Sequence, residues 1–213
     1  MTSYTLVVGT RSWSSWSLRA HMALVATGIP FETICVRLRK SEATDDILRH
    51  SPSGKVPLLK TGDGERIWDS LAICETLAER HPAAKLWPDD AKVRALARSY
   101  CAEMHAGFPD LRDQLTMDFA RQLPLPELRP ETGRQIERII AAWEEALSAH
   151  EGGFLFGRFS IADCMYAPVM SRFRTYGVAL PAASATYAKR VWQLPAMQSW
   201  LKEAEAEVAA GLP

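Results

Sequence analysis

The feature that most restricts how this chain can fold is the run from Ser51 to Ser70, S-P-S-G-K-V-P-L-L-K-T-G-D-G-E-R-I-W-D-S. Ser51-Pro52-Ser53-Gly54 is turn chemistry, and Val56-Pro57-Leu58-Leu59 is a short apolar run with the character of a strand. Proline inside a strand removes a ladder donor, which confines such a run to a strand start, an edge or a bulge. A cis bond between Val56 and Pro57 would let Val56 turn its own N–H and C=O away from the sheet and offer them to an extended peptide, as a partner strand would. Thr61-Gly62-Asp63-Gly64 then predicts a hairpin turn, Glu65 to Trp68 the return strand, and Asp69-Ser70 the entry to a helix over Leu71 to Leu77. Each signal alone is ordinary structural punctuation, with Ser70 an N-cap and Pro57 an edge-strand proline. In this order they set a backbone that can pair with peptide beside a helix N-terminus, whose free N–H groups hold carboxylates. That suits a small peptide with a free carboxylate.

The flanking sequence supplies the rest of a fold. Tyr4 to Val8 reads as a buried strand. Leu18, Met22, Val25 and Ala26 recur at helical spacing until Gly28 and Pro30. Phe31 to Leu38 predicts a second strand and Ala43 to Arg49 a short helix. A strand-helix-strand unit joined to a strand-strand-helix unit is the thioredoxin-like arrangement. His81-Pro82 ends it, because proline disfavours helix at the preceding residue. The expectation is therefore an α/β plus all-α chain: an N-terminal thioredoxin-like domain over residues 1–82, a linker over 83–90 and an all-helical C-terminal domain over 91–213. In the second part Val93, Leu96, Ala97, Tyr100, Cys101 and Met104 form one stripe, with a break expected near Pro109. Pro124, Pro126 and Pro130 mark a loop; Ile136 to Leu147 continue as a helix that Gly152-Gly153 should end. Ser160 and Asp163 form a capping-box variant, and further helices are expected near Ser184 to Leu194 and Ala196 to Ala210.

Lys and Arg number 25 and are balanced by 25 Asp and Glu, which argues against nucleic acid as the main ligand. No window approaches the roughly 18 apolar residues of a membrane span, and no basic, apolar and cleavable leader is present, so a cytoplasmic protein with no membrane partner is expected. Cys35, Cys74, Cys101 and Cys164 lie far apart and suggest no disulfide framework or metal site, only buried reduced thiols. With no cysteine before Cys35, dithiol redox chemistry at the start of the first helix is excluded.

Val56-Pro57-Leu58-Leu59 followed by Asp69-Ser70-Leu71-Ala72-Ile73 resembles the glutathione-binding half of the glutathione S-transferase family, and Phe156-Gly157-Arg158-Phe159-Ser160-Ile161-Ala162-Asp163 resembles the run that opens the family's buried central helix. The resemblance implies that Val56, before a cis Pro57, pairs with the cysteinyl backbone of glutathione. Asp69 and Ser70 would hold its γ-glutamyl end, and Lys55 is a candidate for the glycyl carboxylate. It implies glutathione as co-substrate and a homodimer. A transferase of this kind needs a hydroxyl or thiol to stabilise the thiolate of bound glutathione. Lowering a thiol from about 8.5 by two units requires roughly 2.7 kcal/mol, which one or two donors to a charged group can provide at about 1.5 to 3 kcal/mol each. Ser12, Ser14, Ser15 and Ser17 are the candidates. One serine of the four is expected to cap the first helix. The segment from Ser14 resembles the S-S-C-x-x-R pattern of zeta-class transferases, which makes Ser14 the match for the catalytic serine and Ser15 its neighbour; where that class has a cysteine, this chain has Trp16. Trp13, Trp16, Met104 and Phe108, with Met117, are candidates for an apolar electrophile pocket between the two parts, and His105 is left without a role. The expected activity is addition of the glutathione thiolate to a small hydrophobic electrophile. The alternatives are glutathione-dependent cis–trans isomerisation of the maleylacetoacetate type and a non-catalytic interaction protein of the same fold.

Overall fold

In the computed structural model, residues 3–38 and 43–212 are described. The chain runs β1 (Tyr4–Gly9), α1 (Ser15–Ala26), β2 (Phe31–Val36), α2 (Ala43–Leu48), β3 (Leu58–Thr61), β4 (Arg66–Ile67) and α3 (Ser70–Arg80). The strands form one mixed sheet in the order β2-β1-β3-β4. β1 is parallel to β2, with Tyr4 opposite Phe31, and antiparallel to β3, with Val7 opposite Leu58. β1 is apolar almost throughout because both its faces are covered. Leu6 and Val8 face the main core, while Val7 joins Val36, Ile47 and Leu58 in a small second core beneath α2.

Beyond a single 3₁₀ turn at Pro82–Ala84 the chain is helical: α4 (Ala91–Ala106), α5 (Pro109–Gln114), α6 (Pro130–Ala149), α7 (Ile161–Tyr176), α8 (Ala182–Trp192) and α9 (Pro195–Ala209). The expected break at Pro109 is present: α4 stops at Ala106, and Phe108 takes a left-handed conformation with φ 63° before Pro109 starts α5. α7 is buried on nearly every side. The Ser160–Asp163 box starts it: Ser160 N and Oγ donate to Asp163 Oδ2 (2.8 and 3.1 Å), and Leu155 N and Tyr187 Oη donate to Oδ1 (3.2 and 2.8 Å). Burial pushes the Asp163 carboxyl up to about 6 against these four donors. α1 joins the two parts, packing on both α3 and α7, so one hydrophobic core is continuous from the sheet into the helices.

Several expectations are corrected. β3 begins at Leu58, since Pro57 has no N–H to give the ladder, and β2 ends at Val36. α6 ends at Ala149, ahead of Gly152-Gly153. Between the two parts, without bearing on the expected boundaries, Leu86 and Trp87 are buried, and Ile161 N donates to Leu86 O (2.9 Å) and Arg158 Nη2 to Trp87 O (2.7 Å). Cys74, Cys101 and Cys164 are buried thiols as expected, but Cys35 is exposed, because Cys35 lies on the outer strand of the sheet. Among the described residues no helix is long and apolar enough to cross a membrane, and no cluster of three or more candidate metal ligands occurs.

Candidate functional site

The loop from β1 to α1, residues 10–14, is fixed from several directions. Thr10 N donates to Val36 O (3.0 Å), Thr10 O accepts from Trp13 N and Ser14 N (3.0 and 2.9 Å), and Thr10 Oγ1 accepts from Leu38 N (3.0 Å). Its outer side is held by distant helices. Glu207 of α9 accepts the Arg11 N–H (2.7 Å) and pairs with the Arg11 guanidinium (3.1 Å). Trp200 Nε1, also on α9, donates to Arg11 O (3.0 Å), and Phe119 N donates to Ser12 O (3.0 Å). The loop is therefore set by the helical part of the chain as much as by the sheet.

Ser14 occupies the N-cap position of α1, yet its hydroxyl caps nothing. The expected use of one serine as side-chain cap is corrected here. Ser14 Oγ donates to Ser17 Oγ at 2.7 Å, and Ser17 Oγ also accepts the Gly9 N–H at 3.2 Å. Ser15 is buried as the first residue of α1, and the Ser12 hydroxyl is buried without a partner among the described residues.

Ser14 opens onto a cavity of about 670 Å³. Five of the expected glutathione and serine residues meet around it, Ser14, Lys55, Val56, Pro57 and Asp69, together with Trp13 and Trp16. The Val56–Pro57 bond is cis, and so is the Trp68–Asp69 bond, which no sequence signal announced. Trp68, Leu38 and Ser53 also line the cavity and were not anticipated. Trp68 is exposed, and its place directly before the Asp69-Ser70 helix entry was the available clue in the sequence. Asp69, rather than Ser70, is the N-cap of α3. Its Oδ1 accepts from Leu71 N (3.1 Å), and a carboxylate there complements the helix dipole. Ser70 begins the helix with its hydroxyl fully buried and without a partner among the described residues. Met104, Phe108 and Met117 are buried in the main core and are not among the residues around the cavity.

His105 acquires a place that the sequence did not give it. Its Nε2 lies 2.9 Å from Asp69 Oδ2, so α4 reaches across to the cap of α3. Its ring meets Trp16 edge to face at 5.0 Å. The Trp16 indole in turn lies against the guanidinium groups of Arg19 (4.3 Å) and Arg112 (5.2 Å). Arg19 is fully buried, and none of its guanidinium nitrogens has a hydrogen-bond acceptor among the described residues; burial, with Arg112 and Arg172 adding repulsion, pulls it down to about 9. Arg112 is differently placed, donating to the carbonyls of Gly107 (3.0 Å) and Met104 at the end of α4.

A thioredoxin-like half with a cis proline and a hydroxyl facing one cavity, followed by an all-helical half, matches known proteins. The model of the glutathione S-transferase N-terminal domain matches residues 13–80 and that of the C-terminal domain residues 126–203. A zeta-class glutathione S-transferase of Euphorbia esula is 30% identical over 158 residues, 73% of this chain and 70% of its own length. The chain belongs to the glutathione S-transferase family. The maleylacetoacetate isomerase of Pseudomonas aeruginosa is 29% identical over 175 residues, 79% of this chain and 82% of its own. Among solved structures, a glutathione transferase homologue from Burkholderia with bound glutathione superimposes with a TM-score of 0.73 at 26% identity, covering 96% of this chain and 98% of its own. Glutathione is the co-substrate of the family.

Proposed function

We propose that this glutathione S-transferase ionises glutathione with the hydroxyl of Ser14 and adds the thiolate to a small hydrophobic electrophile. The observation that carries the reading is one cavity joining Ser14 to Lys55, Val56, Pro57 and Asp69 between walls of Trp13, Trp16 and Trp68. The Val56 backbone, outside β3, pairs with the cysteinyl unit as an added strand would. Asp69 receives the γ-glutamyl ammonium, and Lys55 the glycyl carboxylate. The thiol then lies toward Ser14. Its proton leaves to solvent, and the O–H of Ser14 donates to the sulfur anion. A hydrogen bond to a charged group, about 1.5 to 3 kcal/mol, lowers the thiol by about one to two units. The sulfur forms the new C–S bond, and the leaving group departs with its electron pair.

Glutathione-dependent isomerisation is the second reading, favoured by the likeness to a zeta-class transferase and a maleylacetoacetate isomerase. In it the thiolate adds to one carbon of a cis double bond, the resulting single bond rotates, and the C–S bond breaks to return glutathione. Both readings need the same thiolate. The test is the ultraviolet absorbance of bound glutathione thiolate across pH in wild type and Ser14→Ala, followed by turnover of an aromatic chloride and of maleylacetoacetate. A midpoint well below that of free glutathione, moved up by Ser14→Ala, supports the serine role; an unmoved midpoint removes it. The substrate turned over then separates transfer from isomerisation.

A further inference from the structure

We infer that Ser17 is a positioning residue for the thiolate donor, the second hydroxyl of a relay that runs from the Gly9 amide through Ser17 to Ser14. This rests on the reading of Ser14 given above. The geometry is local. Ser17 is fully buried on α1, one turn beyond Ser14; its Oγ accepts the Gly9 N–H at 3.2 Å and the Ser14 hydroxyl at 2.7 Å, and Ser14, itself 5% exposed, lies on the cavity wall.

Two hydroxyls in contact have two hydrogens, and only one can lie between the oxygens. If Ser14 donates to Ser17, its hydrogen is turned into the protein and is lost to the cavity. If Ser17 donates to Ser14, the Ser14 hydrogen is released toward the cavity, and Ser14 is polarised by the bond it accepts. The structure holds the first arrangement, with Ser14 the donor to Ser17; the second requires both hydroxyls to turn, Ser17 becoming the donor. A sulfur anion in the cavity selects the second. The Gly9 N–H fills one acceptor site of Ser17 in either state and keeps that oxygen in place.

The sequence contains this pair at helical spacing three apart, where side chains on one helix face meet. A plain capping role for Ser14 would have engaged a backbone N–H of the first turn, and it does not. The relay explains why a serine at an N-cap turns inward along the helix. It also assigns a purpose to a fully buried hydroxyl that does not itself line the cavity.

The experiment compares wild type, Ser14→Ala, Ser17→Ala and the double variant by the pH midpoint of bound glutathione thiolate and by kcat/KM for an aromatic chloride. Ser17→Ala is expected to raise the midpoint by about 0.5 to 1 unit and, below that midpoint, to lower kcat/KM by about 3-fold to 10-fold, with KM for glutathione unchanged, because Ser17 acts only through Ser14. The double variant should then be no worse than Ser14→Ala alone. Ser17→Cys, which keeps the size and supplies only a weak donor, should behave like Ser17→Ala and so separate the hydroxyl from packing. A normal midpoint in Ser17→Ala, beside a raised one in Ser14→Ala, would overturn the relay and leave the Ser14 reading standing. Independent, multiplicative effects in the double variant would overturn it as well. A Ser14→Ala midpoint equal to wild type overturns the underlying reading, and the relay with it.

Discussion

Glu207 offers a test of the idea that the C-terminal helix sets the geometry of the loop between β1 and α1. Its carboxylate accepts the Arg11 N–H at 2.7 Å and pairs with the Arg11 guanidinium at 3.1 Å, with side-chain exposures of 14% for Arg11 and 9% for Glu207. Glu207→Ala leaves a buried N–H without an acceptor, about 1 to 3 kcal/mol, and strips a largely buried cation of its partner. Part of that is offset because the carboxylate no longer has to be desolvated. The net expectation is about 3 kcal/mol, and at roughly 2 to 4 °C per kcal/mol for a chain of this size the melting temperature falls by about 9 °C. Glu207→Gln keeps an acceptor for the amide and loses only charge, so a fall of about 3 °C is expected. The two variants also carry a chemical readout. Burial, and after it the Glu207 carboxylate 3.4 Å from its sulfur, pushes the Cys35 thiol up to about 11. Glu207→Gln removes the charge and should lower that thiol, so alkylation of Cys35 at mildly alkaline pH becomes faster while the three buried cysteines stay slow. Differential scanning calorimetry and iodoacetamide rates measure both. A Glu207→Ala protein that melts within about 1 °C of wild type, with unchanged Cys35 reactivity, would refute the claim that α9 anchors this loop.

Two further outcomes follow from the same physical reading. Asp163→Ala leaves the four donors around that carboxylate unsatisfied and should cost about 3 kcal/mol near neutral pH, measured as a shift in urea midpoint. The sign with pH is set by the folded carboxyl lying up at about 6: the native state binds the proton more tightly than the unfolded chain. The Asp163 contribution is therefore greatest near pH 4 and declines as pH rises through 6, by up to about 3 kcal/mol for a two-unit shift, and the variant should lose that pH dependence. Trp16→Ala removes the indole that covers Arg19 and forms part of the cavity wall; KM for an aromatic chloride should rise about 10-fold, equivalent to about 1.4 kcal/mol, with the thiolate midpoint unmoved. An unchanged KM would mean that the electrophile does not use this wall.

What could be read from the sequence was the chemistry carried by neighbours along the chain. Val56-Pro57, Asp69-Ser70 and Ser160 to Asp163 act through bonds spanning one turn or less, so residue type and spacing nearly determine their geometry, and the succession of strands and helices in the first half followed from where the apolar runs and turns lay. Even there, the choice of Asp69 over Ser70 as cap turned on which of two adjacent good caps would take the position, a difference of tenths of a kcal/mol that spacing does not resolve. The parts that could not be read join residues far apart. Glu207 meets Arg11 across 196 positions, Phe119 holds Ser12, and His105 at the end of α4 reaches Asp69 at the cap of α3. The same distinction explains Met104: a helical stripe announces burial, but the direction of burial depends on α7, which lies beyond it in the chain and packs against α4. Trp16 is the instructive intermediate. Its departure from the zeta-class cysteine was visible at once, while its consequence depends on Arg19, His105 and Arg112 converging on one ring from three elements. In this fold the serines around the start of α1 are neighbours along the chain, while the residues that hold their loop and cover Trp16 arrive in large part from the helical half.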